Sequence, residues 1–85
     1  MAVATNGMAA SSHPLGSLAA VNVLRDGGNA VDASVAAGAV LAVVEPSQTG
    51  VGGDCFALIA LAGNQTPIAI NGSGCAPKAA NLDWY

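Results

Sequence analysis

At 85 residues the chain is long enough for one domain at most, and its composition is unusual for a globule that folds alone. Only 8% of its residues are charged, against roughly 25% in soluble domains. Hydrophobic residues make up 53%. The net charge of −3 argues against binding to nucleic acid or to an anionic membrane surface. So few charges cannot cover an independent globule, and we expect other protein to cover much of this chain.

Residues 2–11 predict a strand or an extended arm with a kink at Asn6-Gly7. Pro14 suits the first position of a helix, and apolar residues that recur on one face predict a helix over about residues 14–26. The Asp26-Gly27-Gly28 turn predicts the end of this helix, because glycine adopts left-handed backbone geometry easily.

A second helix is predicted from the cap residue Asn29 to Val44. Asp32 lies three residues after the cap, as in a relative of the capping box. The 12 residues 33–44 carry no charge, so this helix is apolar on every face and should lie inside something larger. They are too few to span a bilayer, which needs about 20. Glu45-Pro46 ends the helix, since a residue before proline avoids helical geometry.

The rest of the chain predicts a β-hairpin between two loops. Residues 55–61 predict a fully buried strand, 63–66 a turn, and 67–71 the returning strand, with loops over 47–54 and 72–85. If Ala62 pairs with Pro67, Cys55 lies opposite residue 74 or 75. A contact between Cys55 and Cys75 then stays possible, although two separately buried thiols are the favoured interpretation.

No complete active site is predicted within this chain. Gly50, Gly52 and Gly53 do not have the spacing or the strand-to-helix order of a phosphate loop. His13 could form a triad with Ser12 and Asp32, but a histidine beside a proline at a helix start is more typical of a cap or a loop. Cys55 lacks a cation to activate it and is interpreted as an inert core thiol. Cys75 has no evident base, and the two cysteines make no metal site.

Residues 6–59 resemble the opening of the large chain of γ-glutamyltransferases. The specific signal is the combination of "GGNAVDA" at residues 27–33 with "VEPSQTGVGGD" at residues 44–54. The resemblance covers about residues 3–80. It implies an α+β fold: a fragment of the αββα sandwich of N-terminal-nucleophile hydrolases, with an extended arm, two helices and then a β-hairpin. Residues 1–85 would be a single incomplete domain at the N-terminal end of that large chain.

The resemblance also implies an activity and partners. A precursor several times longer would cleave itself, and the new N-terminal threonine of its small chain would attack γ-glutamyl amides such as glutathione. Catalytic residues would lie outside this chain, with no cofactor. The partners would be the remainder of the large chain, the small chain and the amide substrate. Members of the family are commonly exported or membrane-anchored, but no signal peptide is visible here, so the compartment stays open.

Two positions depart from the family pattern. Ser73 stands where the family usually carries the arginine that binds the substrate's α-carboxylate, and a hydroxyl cannot replace a bidentate guanidinium. Asp54 replaces one glycine of the usual glycine run. Ser73 is the one candidate substrate-binding residue. The alternatives are an acylase on a different amide with the same fold, or a non-enzymatic remnant or interaction module.

Overall fold

The computed structural model describes residues 1–84, which fall into two compact units: Met1–Gly52 and a second unit that begins at Gly53. The first unit contains an irregular arm and two helices, and the second contains a β-hairpin followed by a short 3-10 helix. The predicted α+β class and order of elements are therefore confirmed. Within residues 1–84, no helix combines the length and the apolarity needed to cross a membrane.

The N-terminal arm is irregular rather than a strand, and it bends at Thr5-Asn6, next to the predicted kink. Helix α1 spans Pro14–Arg25, with proline in its first turn and His13 as its N-cap. At its other end, Gly27 has a φ of +90°, and the N–H groups of Gly27 and Gly28 donate to the carbonyls of Leu24 and Val23. This pair of bonds is a Schellman motif, which explains why the helix ends at the predicted glycines.

Helix α2 spans Ala30–Val44 and begins with a complete capping box. The Asn29 side chain accepts from the N–H groups of Val31 and Asp32 at 2.8 and 3.0 Å, and the Asp32 carboxylate accepts from the Asn29 N–H at 3.1 Å. The helix ends at the C-cap Glu45, whose N–H donates to the Leu41 carbonyl at 2.8 Å. Both predicted ends of α2 are confirmed, because capping chemistry is local and readable from the sequence.

The two helices pack through their smallest residues. Ala20 of α1 and Ala33 of α2 are each 4% exposed, and Gly16 of α1 is also buried. A Cβ at Gly16 would lie 2.9 Å from Leu41 Cδ2, so a larger residue there would force the leucine or the helices to move. The Ser12 hydroxyl also donates to the Glu45 carboxylate, which ties the start of α1 to the end of α2.

A second face of α2 is left exposed within the unit Met1–Gly52. Val31, Val35, Ala39 and Val43 recur every four residues and are all exposed, with Val35 at 68% and Val43 at 78%. Residues at this spacing line one face of a helix. The helix is thus apolar on both sides but covered on one, as its uncharged composition predicts for an interior element.

The hairpin pairs β1 (Cys55–Ile59) with β2 (Ile68–Gly72) in antiparallel register, with Ile59 opposite Ile68 and Cys55 opposite Gly72. The predicted register, with Cys55 opposite residue 74 or 75, is wrong. Pro67 has no N–H to donate, so the ladder stops at Ile68. A longer connection follows, with a turn from the Asn64 N–H to the Leu61 carbonyl at 3.1 Å.

The predicted burial of the hairpin is also wrong for this chain. Phe56 and Leu58 point to one face and are 67% and 73% exposed, and Ile68 and Ile70 on the other face are each 46% exposed. Cys55 and Cys75 are both exposed free thiols, rather than buried or paired ones. The physical reason is that a two-stranded hairpin has no second layer of its own to cover either apolar face.

The C-terminal segment was predicted as loop throughout. It instead contains a turn closed by the Ala80 N–H and the Pro77 carbonyl, and a 3-10 helix over Leu82–Trp84. The Asn81 side chain caps this helix by accepting from the Asp83 N–H at 3.0 Å.

Candidate substrate-contact loop

The end of strand β2 carries the candidate residue Ser73, and the hairpin fixes where that strand ends. Gly72 is the last residue of β2 and pairs with Cys55. A Cβ at Gly72 would lie 2.7 Å from the Cys55 carbonyl oxygen, so glycine alone permits this close pairing. Ser73 therefore leaves the sheet at a position fixed by the strand register. We call residues 73–75 the Ser73 loop.

Two side-chain oxygens hold the backbone of the Ser73 loop. The Ser73 N–H donates to Asn71 Oδ1 at 3.2 Å, which is an Asx turn. The next N–H, that of Gly74, donates to Asp54 Oδ1 at 2.5 Å. Asp54 directly precedes β1, and antiparallel pairing brings the start of β1 beside the end of β2. Residues 20 positions apart in sequence thus meet at the candidate site.

The side chains of the Ser73 loop are uncharged, and the carboxylate of Asp54 lies beside the loop. The exposed Ser73 hydroxyl can donate one hydrogen bond and accept others. It has no charge to pair with a carboxylate and no fork of donors to bind one in bidentate fashion. Lys78, the cation of this unit, follows in the turn after the loop.

The triad considered from the sequence does not assemble. His13 Nδ1 accepts the Leu15 N–H at 3.2 Å, so this ring serves as the N-cap of α1, as predicted. Asp32 serves the capping box of α2, and Ser12 bonds Glu45. Each of the three side chains therefore has a structural partner of its own, and none activates another.

The role of Asp54 was not found by sequence reasoning. In the sequence Asp54 stands out only as a departure from a glycine run, and Gly74 falls in a predicted loop. A signal existed in retrospect: an acidic residue at the mouth of a hairpin faces the backbone N–H groups that leave the partner strand. That signal identifies Gly74 only with the observed register, in which Cys55 pairs with Gly72.

Comparison with known proteins gives the family. The family model for gamma-glutamyltranspeptidase matches residues 16–85. The oxamate amidohydrolase proenzyme of Klebsiella pneumoniae is 48% identical over 83 residues, covering 98% of this chain and 16% of that protein. Glutathione hydrolase 2 of Arabidopsis thaliana is 46% identical, covering 98% of this chain and 14% of that protein.

Solved structures agree. The crystal structure of Helicobacter pylori γ-glutamyltranspeptidase matches with a TM-score of 0.83 and 43% identity, over 95% of this chain and 23% of that one. The chain therefore belongs to the gamma-glutamyltranspeptidase family, and the resemblance seen in the sequence is confirmed. The chain spans about a sixth of the length of the first relative and about a seventh of the second.

Proposed function

We propose that the complete protein is an amide hydrolase or transferase that acts on γ-glutamyl amides through a threonine nucleophile outside these 85 residues. The threonine hydroxyl attacks the amide carbonyl, with its own α-amino group as the base, and the amine leaves. The acyl group then passes from the threonine oxygen to water or to an acceptor amine. Family membership is the observation that carries this proposal.

The local geometry supports a nucleophile elsewhere. Nucleophilic catalysis needs a hydroxyl, thiol or amine next to a base that activates it. His13 is the only histidine of the chain, and its Nδ1 is engaged as a helix cap. Residues 1–85 would therefore support the fold and contact the substrate. The reacting groups would come from the rest of an autoprocessed precursor.

The exposed apolar surfaces of the two units would be contact surfaces for the rest of the protein. The exposed valine face of α2 and both faces of the hairpin would pack against the remainder of the large chain and the small chain. Residues 1–85 would then be one incomplete domain of a layered fold. Burial of these faces would offset the shortage of charged residues, because contiguous apolar surface is unfavourable in water.

A second candidate keeps the family and changes the substrate. A γ-glutamyl group carries an α-carboxylate that a guanidinium binds well, and Ser73 supplies only a hydroxyl. One relative at 48% identity is named for oxamate, a much smaller amide. A small amide with few charged contacts would suit the Ser73 loop better than a γ-glutamyl group would.

The test uses the complete precursor. It should cleave itself, and sequencing of the new N-terminus should give threonine. The processed enzyme is then assayed on γ-glutamyl-p-nitroanilide, on oxamate and on an acyl β-lactam side chain. The proposal expects the highest kcat/KM on the γ-glutamyl substrate. A higher kcat/KM on another amide establishes the second candidate, and a precursor that neither cleaves itself nor hydrolyses any of the three refutes enzyme function.

A further inference from the structure

We propose that Asp54 is a positioning residue for substrate binding, which holds the Ser73 loop in place by accepting the Gly74 N–H. The inference rests on the proposed function, because it assumes that Ser73 contacts the substrate. It adds to that site a residue that directly precedes the opposite strand β1, and it assigns this residue a definite task.

The first support is the closeness of the contact. The Gly74 N–H donates directly to Asp54 Oδ1, with the nitrogen and the oxygen 2.5 Å apart, and the carboxylate acceptor makes this hydrogen bond charge-assisted. A Cβ at Gly74 would lie 2.8 Å from the same oxygen. Glycine at position 74 and a short carboxylate at position 54 therefore fit each other, and a side chain at 74 would displace the carboxylate.

The second support is that the contact completes the restraint of Ser73. The residue before it is fixed by pairing with Cys55, and its own N–H is held by Asn71. Without Asp54, the chain after Ser73 would be free to swing, because an Asx turn restrains one side only. With Asp54, the backbone on both sides of Ser73 is held, and its hydroxyl has a defined place.

Preorganisation of this kind acts on binding. A loop already held in its bound conformation loses less conformational freedom when the substrate arrives. Since Ser73 would hold the substrate and carries no proton-transfer task here, loosening it should weaken ground-state and transition-state binding equally. Such a change raises KM and leaves kcat nearly constant.

The experiment measures kcat and KM for the complete, processed enzyme on its best amide. Asp54→Ala should raise KM about fivefold to tenfold and leave kcat within about twofold, the size expected from one lost charge-assisted hydrogen bond at an exposed site. Asp54→Asn keeps an acceptor oxygen at the same reach and should restore KM to within about twofold of the wild type. If Asp54 only stabilised the fold, Asp54→Ala would not raise KM at nearly constant kcat, with KM restored by Asp54→Asn.

Asp26→Ala is the matched control, because it removes an exposed aspartate whose side chain accepts no hydrogen bond within residues 1–84. It should leave both constants unchanged. Gly74→Ala should break the same hydrogen bond, because the new methyl group pushes the Asp54 carboxylate away. It should therefore raise KM as Asp54→Ala does. If Asp54→Ala does not yield folded enzyme, kcat and KM are measured on Gly74→Ala.

An unchanged KM in Asp54→Ala, or a loss confined to kcat, would overturn the inference. Failure of both Asp54→Ala and Gly74→Ala to fold would assign the contact to stability and overturn it too. These results differ from failure of the proposed function, in which the wild-type enzyme itself hydrolyses none of the amides.

Discussion

The contact between the two helices makes a quantitative prediction at Gly16. In Gly16→Ala the new methyl carbon would lie 2.9 Å from Leu41 Cδ2 and 3.0 Å from Leu41 Cγ. Ordinary carbon contacts are at about 3.5–4.0 Å, so the helices or the leucine must move by roughly half an ångström or more. Such overpacking costs about 1–3 kcal/mol. Alanine recovers about 1 kcal/mol through its better helix propensity. We expect a net loss of about 1 kcal/mol.

A double-mutant cycle isolates this contact. Leu41→Ala removes the atoms that the new methyl would strike, so Gly16→Ala should cost at least about 1 kcal/mol less in that background. The rest of its cost comes from the Ser11 hydroxyl, which would also lie 2.9 Å from the new carbon. Urea unfolding of the complete protein gives the free energies, from the midpoint and the m-value. Equal costs in both backgrounds, within about 0.5 kcal/mol, would refute the packing described here.

The remaining predictions concern the caps and one thiol. Asn29→Ala should destabilise the complete protein by about 1–2 kcal/mol in urea unfolding, and Asn29→Asp should recover most of this because it can still cap; equal losses in the two variants would argue against the capping box. Gly27→Asn should be better tolerated than Gly27→Val in thermal unfolding, since φ is +90° there; the reverse order would contradict the Schellman motif. Cys55 should resist thiol reagents in the folded complete protein and react after unfolding, and rapid labelling of the folded protein would show that its face of the hairpin is uncovered.

The helices were predictable because their ends are set by neighbouring residues. Pro14 begins α1, and Asn29 with Asp32 begins α2, each through contacts within four positions. Local chemistry of this kind is visible in a single sequence. The fold class was implied by the resemblance to γ-glutamyltransferases, and the two helical patterns followed by two strand patterns agree with it.

The hairpin register and the Ser73 loop were less predictable because they depend on distant pairs. The position of Pro67 and the length of the connection decide the register, and a shift in register reassigns every cross-strand partner. The bonds from Ser12 to Glu45 and from Gly74 to Asp54 join residues 33 and 20 positions apart. No local pattern marks either pair.

Burial was mispredicted for a different reason. The apolar composition of β1 correctly indicates a strand that prefers to be covered, yet Phe56 and Leu58 are exposed in this chain. A hydrophobic pattern indicates that a segment is buried in the complete fold, but it does not identify which other segment buries it. On the basis of the family relationship, we propose that the rest of a longer protein covers these faces.

The most direct test of that central proposal compares the isolated 85-residue chain with the complete protein by thermal unfolding and sedimentation. With α2 and the hairpin uncovered, the isolated chain should aggregate or melt without a cooperative transition, whereas the complete protein should unfold cooperatively. A soluble, monomeric 85-residue chain with a sharp two-state transition would contradict the account.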